Sequence, residues 1–124
     1  MDRPFIDFAM FAQGADDVTA YKAGDIVFKQ GDAGTELYIV KSGRVAVQLG
    51  NRTLAVLQPG EIFGEMALID GSDRSATVVA ETDCDIVPVS EKQFLFMTSE
   101  APYFALSLMR IIVQRLRTAN SALT

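Results

Sequence analysis

Histidine is absent from the sequence, and the 124 residues include a single cysteine, Cys84, and no tryptophan. The lack of histidine excludes histidine-dependent catalytic triads, histidine-ligated metal sites and a haem with a proximal histidine. A lone thiol forms no internal disulfide and fits a reducing compartment. The apolar runs are far shorter than the ~18 residues that a membrane-spanning helix needs. We therefore expect a cytoplasmic protein with no metal site and no membrane segment.

Positive charge is scarce in most of the chain. Lysine and arginine number 11 against 16 acidic residues, and the net charge of −5 argues against a surface that binds nucleic acid. All the acidic residues precede residue 101, whereas residues 101–124 carry three arginines and no acid. This change predicts an acidic body followed by a basic C-terminal helix. We expect its arginines to form a solvated face; they are Arg110, Arg115 and Arg117.

Glycine is concentrated in the middle of the chain. Eight of the nine glycines lie between Gly24 and Gly71, separated by short runs rich in β-branched and aromatic residues. This pattern is typical of short strands joined by tight turns. It predicts a mainly β protein with flanking helices (α+β), built as an antiparallel β-roll or jelly roll. Gly43 is expected to supply the positive φ of a hairpin turn. The predicted strands are 18–22, 26–29, 36–41, 44–49, 53–57, 76–81 and 84–89.

Both ends of the chain are predicted to be helical. Apolar residues recur at helical spacing from Pro4 to Gln13, and Ser90 begins a capping box ahead of another helix. A last helix, from about Pro102 to Asn120, is apolar on more than one face, and a second copy of the chain is the simplest partner for the extra face. We interpret the chain as one domain over residues 1–124. Its expected parts are an N-terminal helical segment (1–17), the β-roll (18–89) and the C-terminal helices (90–124).

The segment 60–78 carries the residues most suited to binding a ligand. Gly64 permits a close approach of the backbone to a bound group. A short helix over residues 65–69 would present free N–H groups to an anion. Arg74 has a planar fork of donors that matches a phosphate or carboxylate, and Glu65 can accept hydrogen bonds from a diol. Together these features predict a phosphate cradle, an arginine clamp and a ribose acceptor.

Simpler interpretations of the same residues stay open at this point. Arg74 could be a surface arginine paired with Asp70, Asp73 or Glu65. Glu65 could be an acid that interacts favourably with a helix N-terminus. The adjacent carboxylates elsewhere in the chain lie beside no second catalytic feature, so we expect no catalytic residues and no enzyme activity.

The segment also resembles a known family. Residues 63–68, followed by 74–78, are similar to the phosphate-binding cassette of the cyclic nucleotide-binding domain family. That family includes the effector domain of the catabolite activator protein, kinase regulatory subunits and cyclic-nucleotide-gated channels. Residues 23–32 and 37–45 resemble the early strands of the family, with its glycines in place. The resemblance covers roughly residues 5–117.

The resemblance implies a role for each matching position. Glu65, after Gly64, would take the ribose 2′-hydroxyl, and the backbone N–H of Ala67 would meet the cyclic phosphate. Arg74 would pair with the phosphate charge, and Ser75 would contribute its N–H or hydroxyl. A base contact is implied at Asn120, late in the last helix. The implied ligand-binding residues are Gly64, Glu65, Met66, Ala67, Arg74, Ser75 and Ala76.

The resemblance implies an allosteric module whose ligand is a cyclic nucleotide, cAMP being favoured over cGMP because it is more frequent in the family. It implies no other cofactor. The last helix would act as lid and dimer helix. The chain ends at Thr124, about where a DNA-binding domain would begin, so we expect no direct DNA binding by this chain. Two alternatives are a non-binding β-roll used for assembly and the effector domain of a longer transcription regulator, channel or kinase.

Overall fold

Eight strands and four helices make up residues 8–123, the part of the chain that the computed structural model describes, with side chains described for residues 8–119. In chain order they are α1 (Phe8–Gln13), β1 (Thr19–Tyr21), β2 (Ile26–Phe28), β3 (Leu37–Ser42), β4 (Val45–Leu49), β5 (Arg52–Leu57), β6 (Ile62–Phe63), α2 (Glu65–Asp70), β7 (Thr77–Ala80), β8 (Cys84–Val89), α3 (Glu91–Glu100) and α4 (Tyr103–Leu123).

The strands form two antiparallel four-stranded sheets. One has the order β1-β8-β3-β6, and the other has the order β2-β7-β4-β5. The predicted jelly roll with flanking helices is therefore confirmed. The sequence prediction missed β6, which pairs Ile62 and Phe63 with Ile39 and Tyr38 of β3. A strand of two residues is too short to show the alternation that identifies a strand in the sequence.

The core has two parts because the side chains of a strand alternate between its faces. In β3, Leu37 and Ile39 pack with the helices, whereas Val40 packs between the sheets with Val45 of β4. The sheet that contains β3 is consequently buried on both faces. The helices cover one of them, and the other faces the second sheet.

The predicted hairpin at Gly43 is wrong. Gly43 does adopt a positive φ of 75°, but β3 pairs with β6 and β8, whereas β4 pairs with β5 and β7. The chain therefore passes from one sheet to the other at this glycine. A Cβ at Gly43 would overlap the Asp83 carbonyl and Cys84, so the crossing also depends on a close approach to the start of β8. The composition of a turn predicts the φ angle of its glycine but does not predict which strands pair.

The helices dock mainly through aromatic side chains. The capping box at Ser90 is confirmed, since its hydroxyl accepts from the Gln93 N–H and the Gln93 side chain accepts from the Ser90 N–H. Phe104 of α4 is fully buried against Phe8 of α1 and Phe94 of α3. These contacts hold α4 on the β-roll. Residues 4–7 of the first predicted helix lie outside the described residues.

No helix within residues 8–123 combines the length and the apolar character that crossing a bilayer requires.

Candidate functional site

A cavity of about 270 Å³ lies within the β-roll beside α2. Its apolar wall comes from β2, β4, β5, β6 and β7, and its polar side comes from the segment that the sequence singled out and from Arg115 of α4. All seven residues predicted to bind ligand line it, namely Gly64, Glu65, Met66, Ala67, Arg74, Ser75 and Ala76. An apolar pocket with a few convergent polar groups is the usual form of a small-molecule site.

Arg74 is a buried cation at this cavity, with 5% of its surface exposed. Its Nη1 donates to the carbonyl oxygens of Glu36 at 3.0 Å and Gly64 at 3.1 Å. Its Cζ lies 4.3 Å from the centroid of the Phe28 ring and 5.4 Å from that of Tyr38. Its Nε is buried and has no hydrogen-bond partner among the described residues. The arginine is therefore held in place by neutral groups.

The interpretation of Arg74 as a surface arginine paired with an acid is wrong. The ion pairs among the described residues are Arg44–Glu81 and Arg115–Glu65, and neither includes Arg74. Burying a cation without an opposite charge is unfavourable, and buried charges are ordinarily paired. Arg74 therefore has no carboxylate partner among the described residues, and it lines the cavity.

Glu65 is the buried anion of the site, with 8% of its surface exposed. Arg115 of α4 reaches it across the fold: Nη1 donates to Glu65 Oε1 at 2.7 Å, and Nη2 donates to the Ile62 carbonyl at 2.6 Å. The expectation that Arg115 lies on a solvated face is therefore wrong, whereas Arg110 and Arg117 are exposed.

Helical spacing could have identified Arg115. It lies four residues after Ile111, seven after Leu108 and eleven after Phe104, so it continues the buried face of α4. An arginine at the end of an apolar face can extend over it and present its charged group to an acid beyond. The sequence did not indicate which acid that would be.

The first turn of α2 faces the cavity without a side-chain cap. Its N-cap, Gly64, has a φ of 78° and no side chain to accept from the first N–H groups, which have no partners within a helix. Ala67 is buried in this turn, and Met66 is about half exposed at the rim of the cavity. Ser75 and Ala76 also line the cavity, and Ser75 is exposed whereas Ala76 is buried.

The aromatic residues beside Arg74 are partly shielded from water. Tyr38 stacks on Phe63 with ring centroids 5.1 Å apart. Burial raises the pKa of the Tyr38 hydroxyl, and Glu36 raises it further, although Arg74 opposes the shift. Tyr38 therefore stays neutral at physiological pH and adds no negative charge beside Arg74.

Asn120, the implied base contact, belongs to α4, but its side chain lies outside the described ones. Between residues 8 and 123 no cluster of three or more acidic, cysteine or histidine side chains is placed to hold a metal ion.

The family assignment follows from comparison with known proteins. The model of the cyclic nucleotide-binding domain matches residues 18–100, which include both sheets and the whole cavity segment. The chain belongs to the cyclic nucleotide-binding domain family. In this family's terms, the predicted phosphate-binding cassette is the segment from Phe63 to Val78.

Relatives and solved structures agree with this assignment. The cyclic AMP receptor protein of Thermus thermophilus is 41% identical over 105 residues, which cover 81% of this chain and 49% of that protein. The crystal structure of the Thermus thermophilus catabolite activator protein superposes with a TM-score of 0.80 and 39% identity, covering 86% of this chain and 53% of that one. A cGMP-dependent protein kinase of Toxoplasma gondii is 47% identical over 64 residues, covering 52% of this chain and 6% of the kinase.

The match is to one part of each relative. This cyclic nucleotide-binding domain spans about half the length of the Thermus protein and a small part of the kinase. The names of these two relatives refer to different nucleotides, so the comparison does not decide between cAMP and cGMP.

Proposed function

We propose that this domain is a receptor that binds a cyclic nucleotide in the cavity beside α2, prefers cAMP to cGMP, and passes the binding signal to α4. In this proposal the domain regulates a partner and catalyses no reaction. The cAMP preference rests on family frequency and on the 41% identity to a cyclic AMP receptor protein. The proposed ligand-binding residues are Gly64, Glu65, Met66, Ala67, Arg74, Ser75 and Ala76, with a base contact at Asn120.

The observation that carries the proposal is the unpaired charge of Arg74. A buried guanidinium held by carbonyl oxygens and aromatic rings, with no carboxylate partner among residues 8–119, is complementary to a ligand that brings one negative charge. The singly charged cyclic phosphate meets that requirement. The apolar strands that line the rest of the cavity would then receive the ribose and base.

Calorimetric titration with cAMP and with cGMP tests the proposal directly. We expect saturable binding of both nucleotides, with the lower Kd for cAMP. A lower Kd for cGMP would refute the preference but leave the receptor function intact. Failure to bind either nucleotide, in protein shown to carry none from purification, would favour the alternative of a β-roll used only for assembly.

Glu65 is proposed to accept a hydrogen bond from the ribose 2′-hydroxyl. Glu65→Gln should weaken cAMP binding by about tenfold, because a hydrogen bond to a charged group contributes about 1.5–3 kcal/mol and the amide retains part of it. The same substitution should reduce the preference for cAMP over 2′-deoxy-cAMP, measured by parallel titrations. Glu61→Gln, at an exposed acid of the same segment, is the matched control. Equal affinity of the unsubstituted domain for the two ligands would contradict this role.

The proposed signal passes through Arg115. Arg115 joins α4 to both Glu65 and the Ile62 carbonyl. A ligand that also forms a hydrogen bond with Glu65 therefore changes the contacts of α4 at the same time. A ligand shifts a conformational equilibrium only through such a difference in contacts between two states. The connection between α4 and the cassette therefore supports an allosteric role.

We also propose that α4 forms a homodimer. Leu106, Met109, Val113 and Leu116 recur at spacings of three and four residues, as in the seam of a coiled coil. Met109, Val113 and Leu116 are 58%, 47% and 59% exposed, so this face is not covered by the rest of the domain. A second copy of α4 is apolar in the same register and can cover it.

The dimer proposal predicts the effect of a charge in the middle of this face. The domain should sediment as a dimer in analytical ultracentrifugation, and Val113→Glu should sediment as a monomer because the buried seam of the dimer would contain two like charges. Leu95→Glu, at an apolar residue of α3 that is 59% exposed, should remain dimeric. A monomeric unsubstituted domain, with and without nucleotide, would contradict the proposal.

The one cysteine, Cys84, is buried, and burial raises the pKa of its thiol, which fits an unreactive side chain in a reducing cytoplasm. We propose residues 1–124 as a single domain. Whether it acts alone or as the effector part of a longer regulator, channel or kinase is answered by sequencing the gene beyond both ends of the chain.

A further inference from the structure

We propose that residues 28–36, from the end of β2 to the residue before β3, form a positioning element that fixes Arg74 before any ligand binds, and that Phe28 and Gly34 are its principal determinants. The inference rests on the proposed function, because it assigns Arg74 the task of receiving the phosphate. It goes further by naming residues outside the cassette that determine how well Arg74 performs that task.

The backbone of Arg74 is tied to this element in both directions. The N–H of Gly31 donates to the Arg74 carbonyl at 2.8 Å, and the N–H of Arg74 donates to the Asp32 carbonyl at 2.8 Å. The same element supplies the Glu36 carbonyl, which accepts from Nη1. Main chain and side chain of Arg74 are therefore both anchored to residues more than 35 positions earlier in the sequence.

The ring of Phe28 supports the guanidinium. A cation within about 6 Å of a ring centroid is attracted by the aromatic face, and the interaction is stronger when water is excluded. The distance from Arg74 Cζ to the Phe28 centroid is 4.3 Å, and Arg74 is buried. Phe28 in turn packs against Tyr38 and Phe63, with ring centroids 5.8 Å and 5.9 Å away, so the ring itself is held in place.

Gly34 leaves the space that the guanidinium occupies. A Cβ built at Gly34 would overlap Nη2, Nε and Cζ of Arg74. Its φ does not lie in the left-handed region, unlike that of Gly64, so alanine is compatible with its backbone and only the overlap opposes the substitution. The glycine is therefore required here by the position of Arg74.

Fixing a charged group before binding improves affinity because the ligand does not have to order it. Arg74 has no carboxylate partner among the described residues that could orient it instead. We therefore expect Phe28 and Gly34 to affect the affinity for the ligand through the contact between Arg74 and the phosphate, although Phe28 also lines the cavity.

Binding measurements separate positioning from direct contact. Phe28→Leu should raise the Kd for cAMP by about tenfold, a size consistent with a desolvated cation–π contact, and Phe28→Tyr should restore it. Gly34→Ala should raise the Kd at least as much, whereas Gly14→Ala, where a Cβ meets only a carbonyl oxygen at 4.0 Å, should not.

Adenosine, which lacks the phosphate, should bind the Phe28→Leu and unsubstituted domains equally. An equal loss for adenosine and cAMP would overturn the proposal and leave Phe28 as a wall of the cavity.

A second measurement requires no ligand. In ¹H–¹⁵N spectra of the ligand-free domain, the Arg74 Nε–H signal is identified by its disappearance in the Arg74→Lys variant. The Phe28 ring should shift this signal upfield, and the proton should exchange slowly with water. In Phe28→Leu the signal should move to the position of an exposed arginine and exchange faster. An unchanged signal would overturn the proposal. If the unsubstituted domain shows this signal and binds no cyclic nucleotide, the proposed function fails while the positioning of Arg74 stands.

Discussion

Arg74→Ala should weaken the binding of cyclic nucleotide by about 2–5 kcal/mol, the range for removing one partner of a buried charge pair. The bound phosphate would lie in a cavity with apolar walls that is lined by two arginines, Arg74 of the cassette and Arg115 of α4, and Arg115 is already paired with Glu65. Without Arg74 the phosphate would lose its water without gaining an opposite charge. Titration calorimetry with cAMP measures the loss, which should exceed that of every other single substitution discussed above.

Arg44→Ala is the matched control for this prediction. Arg44 is paired with Glu81 at the surface of the β-roll, with 46% of its side chain exposed, and it does not line the cavity. Its removal should leave the affinity for cAMP unchanged and alter the stability only slightly, because exposed ion pairs contribute little. If Arg74→Ala bound cAMP as tightly as Arg44→Ala, the assignment of the phosphate site would be wrong.

Phe104→Ala should lower the free energy of unfolding by about 3–5 kcal/mol, as expected for truncating a fully buried phenylalanine. Phe104 is 0% exposed and packs against Phe8, Phe11 and Phe94, so its removal would leave a cavity where α1, α3 and α4 meet. Urea denaturation followed by circular dichroism measures the change.

Tyr103→Ala tests whether this effect belongs to the buried ring. Tyr103 is the adjacent aromatic residue of α4 and is 42% exposed, so its replacement should change the unfolding free energy by no more than about 0.5 kcal/mol. Similar losses for the two variants would mean that α4 is not anchored by the Phe104 cluster. Weakening this anchor should also weaken cAMP binding, since α4 carries Arg115 to Glu65.

The parts of the fold that depend on local pattern were predicted well. Seven of the eight strands among the described residues, the capping box at Ser90 and the cassette helix follow from glycine spacing, β-branched runs and capping residues, which act over a few neighbouring positions. The seven residues of the implied site also proved to line one cavity, because all of them lie on a single short segment around α2.

Pairing between distant segments could not be predicted in this way. The chain crosses between sheets at Gly43, where turn composition suggested a hairpin, because strand pairing is decided by packing over the whole β-roll. The contact between Arg115 and Glu65 joins residues 50 positions apart, and nothing within either segment specifies the other.

Sequence pattern alone was sufficient for the class of fold, the cassette and the family resemblance, because each depends on residues close together in the chain. Tertiary structure decided whether Arg74 is a surface residue paired with an acid or a buried cation without a carboxylate partner among the described residues. That difference depends on burial and on carbonyl and aromatic groups contributed by β2, β3 and the loop between them. The physical reason is that the energy of a charge is determined by everything that surrounds it in space, and most of the surroundings of Arg74 come from residues 28–38, far from it in the sequence.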